Sequence, residues 1–338
     1  MGIRVVIRSA LVKVLPAFPG VASTTKFFLV AFAICVIYAA PQRVAAGQVP
    51  PSYLVVDSQT GYVLIEQNAR EKRQIASLTK MATACVVLDW AEKKSGDLSQ
   101  LATISQAAFV GVEKNEVGWQ VGDIVSLRDL LYAALVQSDN LAANALAIRV
   151  GETLESAAPA ESKITPATVF IAQMNALAKQ LGMDRTRFVN PSGFDYKERP
   201  MPYSAAVDLA RLTRYAMNKA SFRFYVSQKE REISFNRGGK QMHTLLRTTN
   251  DLLGTNGIDG VKTGQTAHAG ECLILSANRP SEVIKNGDSA TIFPRHLIVV
   301  ILGSNDRFGD GERLVRQGWQ LYDQWAAAGR LVDPKKIL

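Results

Sequence analysis

Residues 74–88 read QIASLTKMATACVVL, an apolar run whose single charge, Lys80, falls three places after Ser77. Residues three apart on a helix share a face, which brings Ser77 Oγ and Lys80 Nζ within hydrogen-bond reach. The helix is apolar all round, through Met81, Ala84, Cys85, Val86, Val87 and Leu88, and this predicts burial. Burial disfavours an ammonium and lowers its pKa. A neutral lysine beside a serine hydroxyl is a base beside a nucleophile. Alone the pattern says little, because S-x-x-K arises about once by chance in a chain of this size. A lysine stem also lies readily along apolar surface, and a serine readily caps a helix. The pair needs helpers elsewhere in the chain.

The 338-residue chain is 47% hydrophobic and 20% charged, the profile of a globular protein. Residues 1–46 stand apart, with five basic residues, no acidic one, an apolar run at 27–40 and then Val44-Ala45-Ala46. This reads as a secretory signal peptide cleaved after Ala46, with retention as an anchor the alternative. The run is shorter than the roughly 20 residues of a membrane span. Membrane contact is expected only through this segment, if it is kept. The leader carries five of the 39 basic residues and none of the 30 acidic ones, so the net charge of +9 falls to +4 without it. Nucleic acid is excluded as a partner on that balance and on the lack of a basic run with interleaved aromatics. His243, His268 and His296 show no metal-ligand spacing, so no metal is expected, and no dinucleotide-binding glycine motif occurs, so no cofactor is expected. Cys85 falls mid-helix and Cys272 in a central strand, positions that favour unpaired buried thiols.

Residues 53–57 and 62–66 are strand-like and joined by Ser58-Gln59-Thr60-Gly61, a hairpin leading into the Ser77 helix. Residues 98–150 read mainly as helices, notably LRDLLYAALVQ and NLAANALAIRV on either side of Ser138-Asp139. A polar loop at 153–166, a helix at 169–181, the irregular NPSGFDYKERPMP at 190–202 and a helix at 205–217 follow. Strands are predicted at 258–266, 271–277 and 297–302. A last helix at 312–328 carries Leu314, Val315, Trp319, Tyr322 and Trp325 near one stripe. Strands at both chain ends with helices between predict an α/β (α+β) fold. One antiparallel sheet is assembled from both termini and flanked by helices, with a helical subdomain at roughly 95–215.

Two more tripeptides complete the search: SDN at 138–140, between two helices, and KTG at 262–264, on a strand. The three motifs stand 61 and then 124 residues apart. S-x-x-K with S-D-N and K-T-G is the set of class A β-lactamases and penicillin-binding proteins. From about Ser52 onward the chain resembles the low-molecular-mass serine D-alanyl-D-alanine carboxypeptidases and endopeptidases among the penicillin-binding proteins. The resemblance is carried also by LVVDSQTGYVL, LRDLLYAALVQSDNLAANALA, FVNPSGFD, YSAAVDLARL and GIDGVKTGQTAHAGECLILSA. It implies a β-lactamase/transpeptidase-like fold.

The resemblance also implies roles. Ser77 attacks the penultimate D-alanine carbonyl of a peptidoglycan stem peptide, and Lys80 is the base, its pKa held down in part by Lys262. Ser138 relays a proton to the leaving amine, Asn140 hydrogen-bonds Lys80 or the substrate amide, and Asp139 points away. The N–H groups of Ser77 and Gln265 form the oxyanion hole. Thr263 and Lys262 meet the terminal carboxylate, while Gly264 lets the substrate backbone approach the strand edge. An arginine on the following strand often assists, and Arg295 or His296 stands in that neighbourhood here. β-Lactams are then covalent inhibitors, and the protein acts in the periplasm or on the wall side of the cytoplasmic membrane.

The chain ends 74 residues after Gly264, which predicts one catalytic domain, 47–338, without the second β domain or C-terminal membrane helix of larger relatives. That places it near compact members, some of which cut crosslinks as endopeptidases, the alternative activity. Class A β-lactamases add a Glu-x-x-Leu-Asn after SDN; residues 172–180, AQMNALAKQ, lack the glutamate. A non-catalytic penicillin-binding module is disfavoured by the intact Ser77, Lys80, Ser138, Asn140 and Lys262.

Overall fold

Residues 297–302, LIVVIL, are apolar at every position, the pattern of a strand covered on both faces. They form the inner part of β9 (Ser289–Ser304). In the computed structural model, which describes residues 51–93, 96–155, 165–195, 201–286 and 289–338, β9 is the middle strand of a five-stranded antiparallel sheet. Its order is β2 (Val63–Gln67), β1 (Ser52–Asp57), β9, β8 (Gly270–Asn286), β7 (Ile258–Thr266). Both chain ends supply it, as expected. The proposed leader, residues 1–46, and the centre of the 153–166 loop lie outside the described residues.

Alternation along the strands divides the core in two. Val55, Leu273, Leu275, Val299 and Ile301 face α7 (Arg307–Ala327), which buries Leu314, Val315, Trp319, Tyr322 and Trp325 against them. Each fully buried Val, Leu or Ile among them contributes about 1.5–3 kcal/mol. Leu54, Val56, Ile274, Ile298 and Val300 point to the other face. There α5 (Ala206–Met217) lies on β1 and β9, and α1 (Lys80–Lys93) packs against α5. Helix α7 starts at Arg307, earlier than the apolar stripe suggests, because Asp306 caps it by accepting from the Gly309 N–H at 2.9 Å.

Three helices, α2 (Leu127–Leu135), α3 (Asn140–Glu155) and α4 (Pro166–Gln180), make the subdomain, with α6 (Ala220–Val226) nearby. Ser126 caps α2 and Thr165 caps α4, followed by Pro166 at the first helical position. Residues 98–150 are not mainly helical throughout, and there is a second sheet. Strands β3 (Leu101–Thr103) and β4 (Ile124–Ser126) join β5 (Glu230–Arg237) and β6 (Lys240–Arg247) in the order β3-β4-β5-β6. Three-residue strands are too short to show a period. The β5–β6 hairpin turns at Gly238-Gly239, both at positive φ, a dipeptide that signals such a turn. Cys85 and Cys272 are both buried and free.

Candidate active site

Ser77 lies on a single 3-10 turn, Ala76–Thr79, rather than inside the α-helix, and Lys80 opens α1. Ala76, at φ +47°, holds a left-handed backbone that non-glycine residues rarely adopt. The three-residue spacing still delivers the contact, with Lys80 Nζ 2.7 Å from Ser77 Oγ.

Lys80 is fully buried. Its Nζ also meets Asn140 Oδ1 at 2.6 Å and the Ser192 carbonyl at 2.8 Å. Burial pulls its pKa down to about 7, against the opposing pull of the Asp139 carboxylate. A neutral amine has two hydrogens and one lone pair. Asn140 Oδ1 and the Ser192 carbonyl can only accept, so they take both hydrogens. The lone pair is then left for the Ser77 hydroxyl proton.

The Ser192 carbonyl is held by its own loop. Asn190 Oδ1 accepts from the Gly193 N–H at 2.6 Å and the Ser192 N–H at 3.2 Å. Gly193, at φ +80°, passes so close under the nucleophile turn that a Cβ would sit 1.9 Å from the Ala76 carbonyl oxygen. In FVNPSGFD the only sequence signal for Ser192 is the Asn-Pro-Ser-Gly turn, which by itself gives that residue no role.

Between α2 and α3, Ser138 has a left-handed backbone, φ +66°, and lines the cleft. Asn140 is the first residue of α3. Asp139 turns its buried carboxylate into that helix, accepting from the Ala142 N–H at 2.7 Å. Burial raises its pKa to about 6, opposed by the Ala142 bond and by the Lys80 charge.

The KTG residues lie on β7, an edge strand of the main sheet. Lys262 and Thr263 are buried. Lys262 Nζ donates to the Thr263 carbonyl at 3.1 Å, and its pKa lies well below that of a free lysine because of burial and then of the Lys80 and Arg307 charges. The depression by a neighbouring ammonium is thus felt at Lys262, whereas Lys80 is lowered by burial. A Cβ on Gly264 would lie 3.0 Å from the Ser77 nitrogen and 3.1 Å from the Ile75 carbonyl. Glycine is needed there because the nucleophile turn itself presses on the strand, a reason independent of any substrate. The cleft, about 570 Å³, is lined by Ser77, Ser138, Asn140 and Gln265 among others.

Arg295 and His296 are not brought to this cleft. Arg295 bonds Asp323 on α7 at 2.7 Å and lies beside Trp319. His296 Nε2 is 2.5 Å from Ser276 Oγ. Register explains both: Glu271 pairs with Ser304 at the site end of the sheet, and His296 stands eight residues back along β9, about 26 Å at strand rise. An arginine that does reach KTG is Arg307, at the start of α7, donating to the Gly264 carbonyl at 3.3 Å. It comes from the first turn of the helix after the strand, which no strand-register argument reaches. Among the described residues no group of three or more His, Cys, Asp or Glu could hold a metal ion.

A serine held against a buried lysine amine, on a turn packed against the edge of a sheet, defines a protein equipped for serine acyl-enzyme chemistry. The family model described as D-alanyl-D-alanine carboxypeptidase matches residues 39–285. The chain is 32% identical over 295 residues to the D-alanyl-D-alanine carboxypeptidase DacC of Escherichia coli, covering 85% of this chain but only 65% of DacC. It is 31% identical over 281 residues to a D-alanyl-D-alanine endopeptidase of Pseudomonas aeruginosa, covering 81% of this chain and 77% of that one. Its structure is similar to penicillin-binding protein D2 of Listeria monocytogenes in an ampicillin-bound form. The TM-score is 0.59 at 28% identity, covering 79% of this chain and 96% of that one. The chain belongs to the D-alanyl-D-alanine carboxypeptidase family of serine peptidases.

Proposed function

We propose that the protein is an exported serine D,D-carboxypeptidase that removes the terminal D-alanine from peptidoglycan stem peptides and is acylated by β-lactams. The observation that carries this reading is the triple contact of Lys80 with Ser77, Asn140 and the Ser192 carbonyl. Ser77 Oγ attacks the penultimate D-alanine carbonyl as its proton passes to Lys80 Nζ. The N–H groups of Ser77 and Gln265 receive the oxyanion. The C–N bond then breaks, the Ser138 hydroxyl passes a proton to the departing D-alanine amine, and water hydrolyses the ester. Lys262, Thr263 and Arg307 bind the terminal carboxylate. A β-lactam enters by the same attack and leaves no departing amine.

No helix among the described residues is long and apolar enough to cross a membrane. In this reading, residues 1–46 attach the protein to the membrane if they are kept. The endopeptidase reading stands second, favoured by the similarity to the Pseudomonas aeruginosa endopeptidase.

Lys80→Met tests the assignment by keeping the stem and removing the base. Acylation by benzylpenicillin is expected to fall by about a hundred- to ten-thousandfold, the range for loss of a positioned base. In the unaltered protein the acylation rate should rise with pH through about 7 and then level off, since the base is the neutral form of Lys80. Near-normal acylation in Lys80→Met, with melting unchanged, would sink the role.

A further inference from the structure

Between β6 and β7, residues 248–250 read Thr-Thr-Asn, a stretch outside all three motifs. Thr249 reaches both the helical subdomain and the edge strand. Its backbone N–H donates to the Val136 carbonyl at 3.2 Å, at the end of α2 and two residues before Ser138. Its hydroxyl stands 2.5 Å from the Thr263 hydroxyl on β7, and among the described residues no other protein group bonds that Thr263 hydroxyl. The turn that carries Thr249 is itself pinned. Thr248 Oγ1 accepts from the Asn250 N–H at 3.2 Å. The buried Asn250 side chain donates to the Gly260 carbonyl at 3.3 Å and accepts from the Leu252 N–H at 3.2 Å. The Thr249 hydroxyl is therefore presented to Thr263 from a fixed backbone.

Two hydroxyls at that distance share one proton between them, and each has only one to give. A carboxylate accepts and cannot donate, so Thr263 can bind the substrate carboxylate only if its own proton is kept for it. That requires Thr249 to be the donor of the pair. The bonds then run in one direction, from the Thr249 O–H to Thr263 Oγ1 and from the Thr263 O–H to the carboxylate, and each polarises the next. From this geometry we infer that Thr249 is a positioning residue for carboxylate recognition, setting the direction in which the Thr263 hydroxyl donates. A pair of hydroxyls can also serve only to brace β7 against the turn, whichever way the shared proton points. The inference rests on the D,D-peptidase reading above, and it adds a residue that none of the three motifs contains.

The test removes the hydroxyl and keeps the shape. Thr249→Val is compared with the unaltered protein for acylation by benzylpenicillin, which carries a free carboxylate, and by its methyl ester, which does not. The rate constant for the acid is expected to fall by about three- to tenfold, the scale of one net hydrogen bond, and that for the ester much less. With Nα,Nε-diacetyl-L-Lys-D-Ala-D-Ala the same change should appear as a higher KM, with kcat little altered. Thr249→Ser, which keeps the donor, should restore both, and an unchanged melting temperature would show that each variant is folded. A brace alone would lower the acid and ester rates alike, and that result would overturn the inference. So would an acid-to-ester ratio that stays the same in folded Thr249→Val, or one that rises, which would mean that Thr249 had been taking the Thr263 proton. Failure of the unaltered protein to form an adduct with either compound would instead remove the peptidase reading on which the inference rests.

Discussion

Lys80 illustrates how one residue's surroundings set its chemistry. A lysine is a poor base at neutral pH while its pKa stays near that of a free amine, and full burial brings it to about 7. Asp139 works against that shift, since its carboxylate favours the ammonium. Asp139→Asn should therefore lower the Lys80 pKa further while an amide oxygen still caps α3 at Ala142. The acid limb of the acylation–pH profile is expected to move to lower pH; a limb that moves up, or stays, would contradict the coupling. Arg307 offers a second check. If its guanidinium holds the substrate carboxylate, Arg307→Gln should raise KM for D-Ala–D-Ala peptides about tenfold or more, with a much smaller effect on peptides ending in an amide. An equal effect on both would mean that Arg307 only braces β7 through the Gly264 carbonyl.

Among the elements, the segments that carry chemistry were the most readable. Ser77 and Lys80 were legible because burial and spacing point to the same contact, and Ser138-Asp139 because two apolar helical runs break there. The five strands of the main sheet were readable from their apolar cores, and the stripe on α7 from its period. What stayed hidden is what depends on pairing: β3 and β4 are too short to have a pattern, and Arg307 is placed by where a helix begins. The Asn190–Gly193 loop looked merely irregular, yet it holds one of the two carbonyl-type acceptors that orient the Lys80 amine. Gly193→Ala tests how tightly that loop is fitted. The left-handed backbone and the overlap with the Ala76 carbonyl together predict a loss of about 2–5 kcal/mol in stability, read from chemical denaturation. Penicillin acylation should fall with it. A variant as stable and as readily acylated as the parent would show that the nucleophile turn is not held from below.

Over the whole molecule, the sheet is the frame that makes a site from distant parts of the sequence. One face supports α5 and, through it, α1. Its edge strand β7 presses Gly264 against the nucleophile turn, and α7 on the other face returns Arg307 to the same edge. Ser138 and Asn140 arrive from the subdomain, so the cleft runs between sheet and helices. Every part of this arrangement serves one claim, that Ser77 is an activated nucleophile. The most direct measurement is mass spectrometry of the purified protein after incubation with benzylpenicillin, with the modified peptide sequenced, alongside release of D-alanine from a D-Ala–D-Ala pentapeptide. A single stable adduct on Ser77 and free D-alanine are the expected result. An unmodified protein that releases no D-alanine, or an adduct at any other residue, would contradict it.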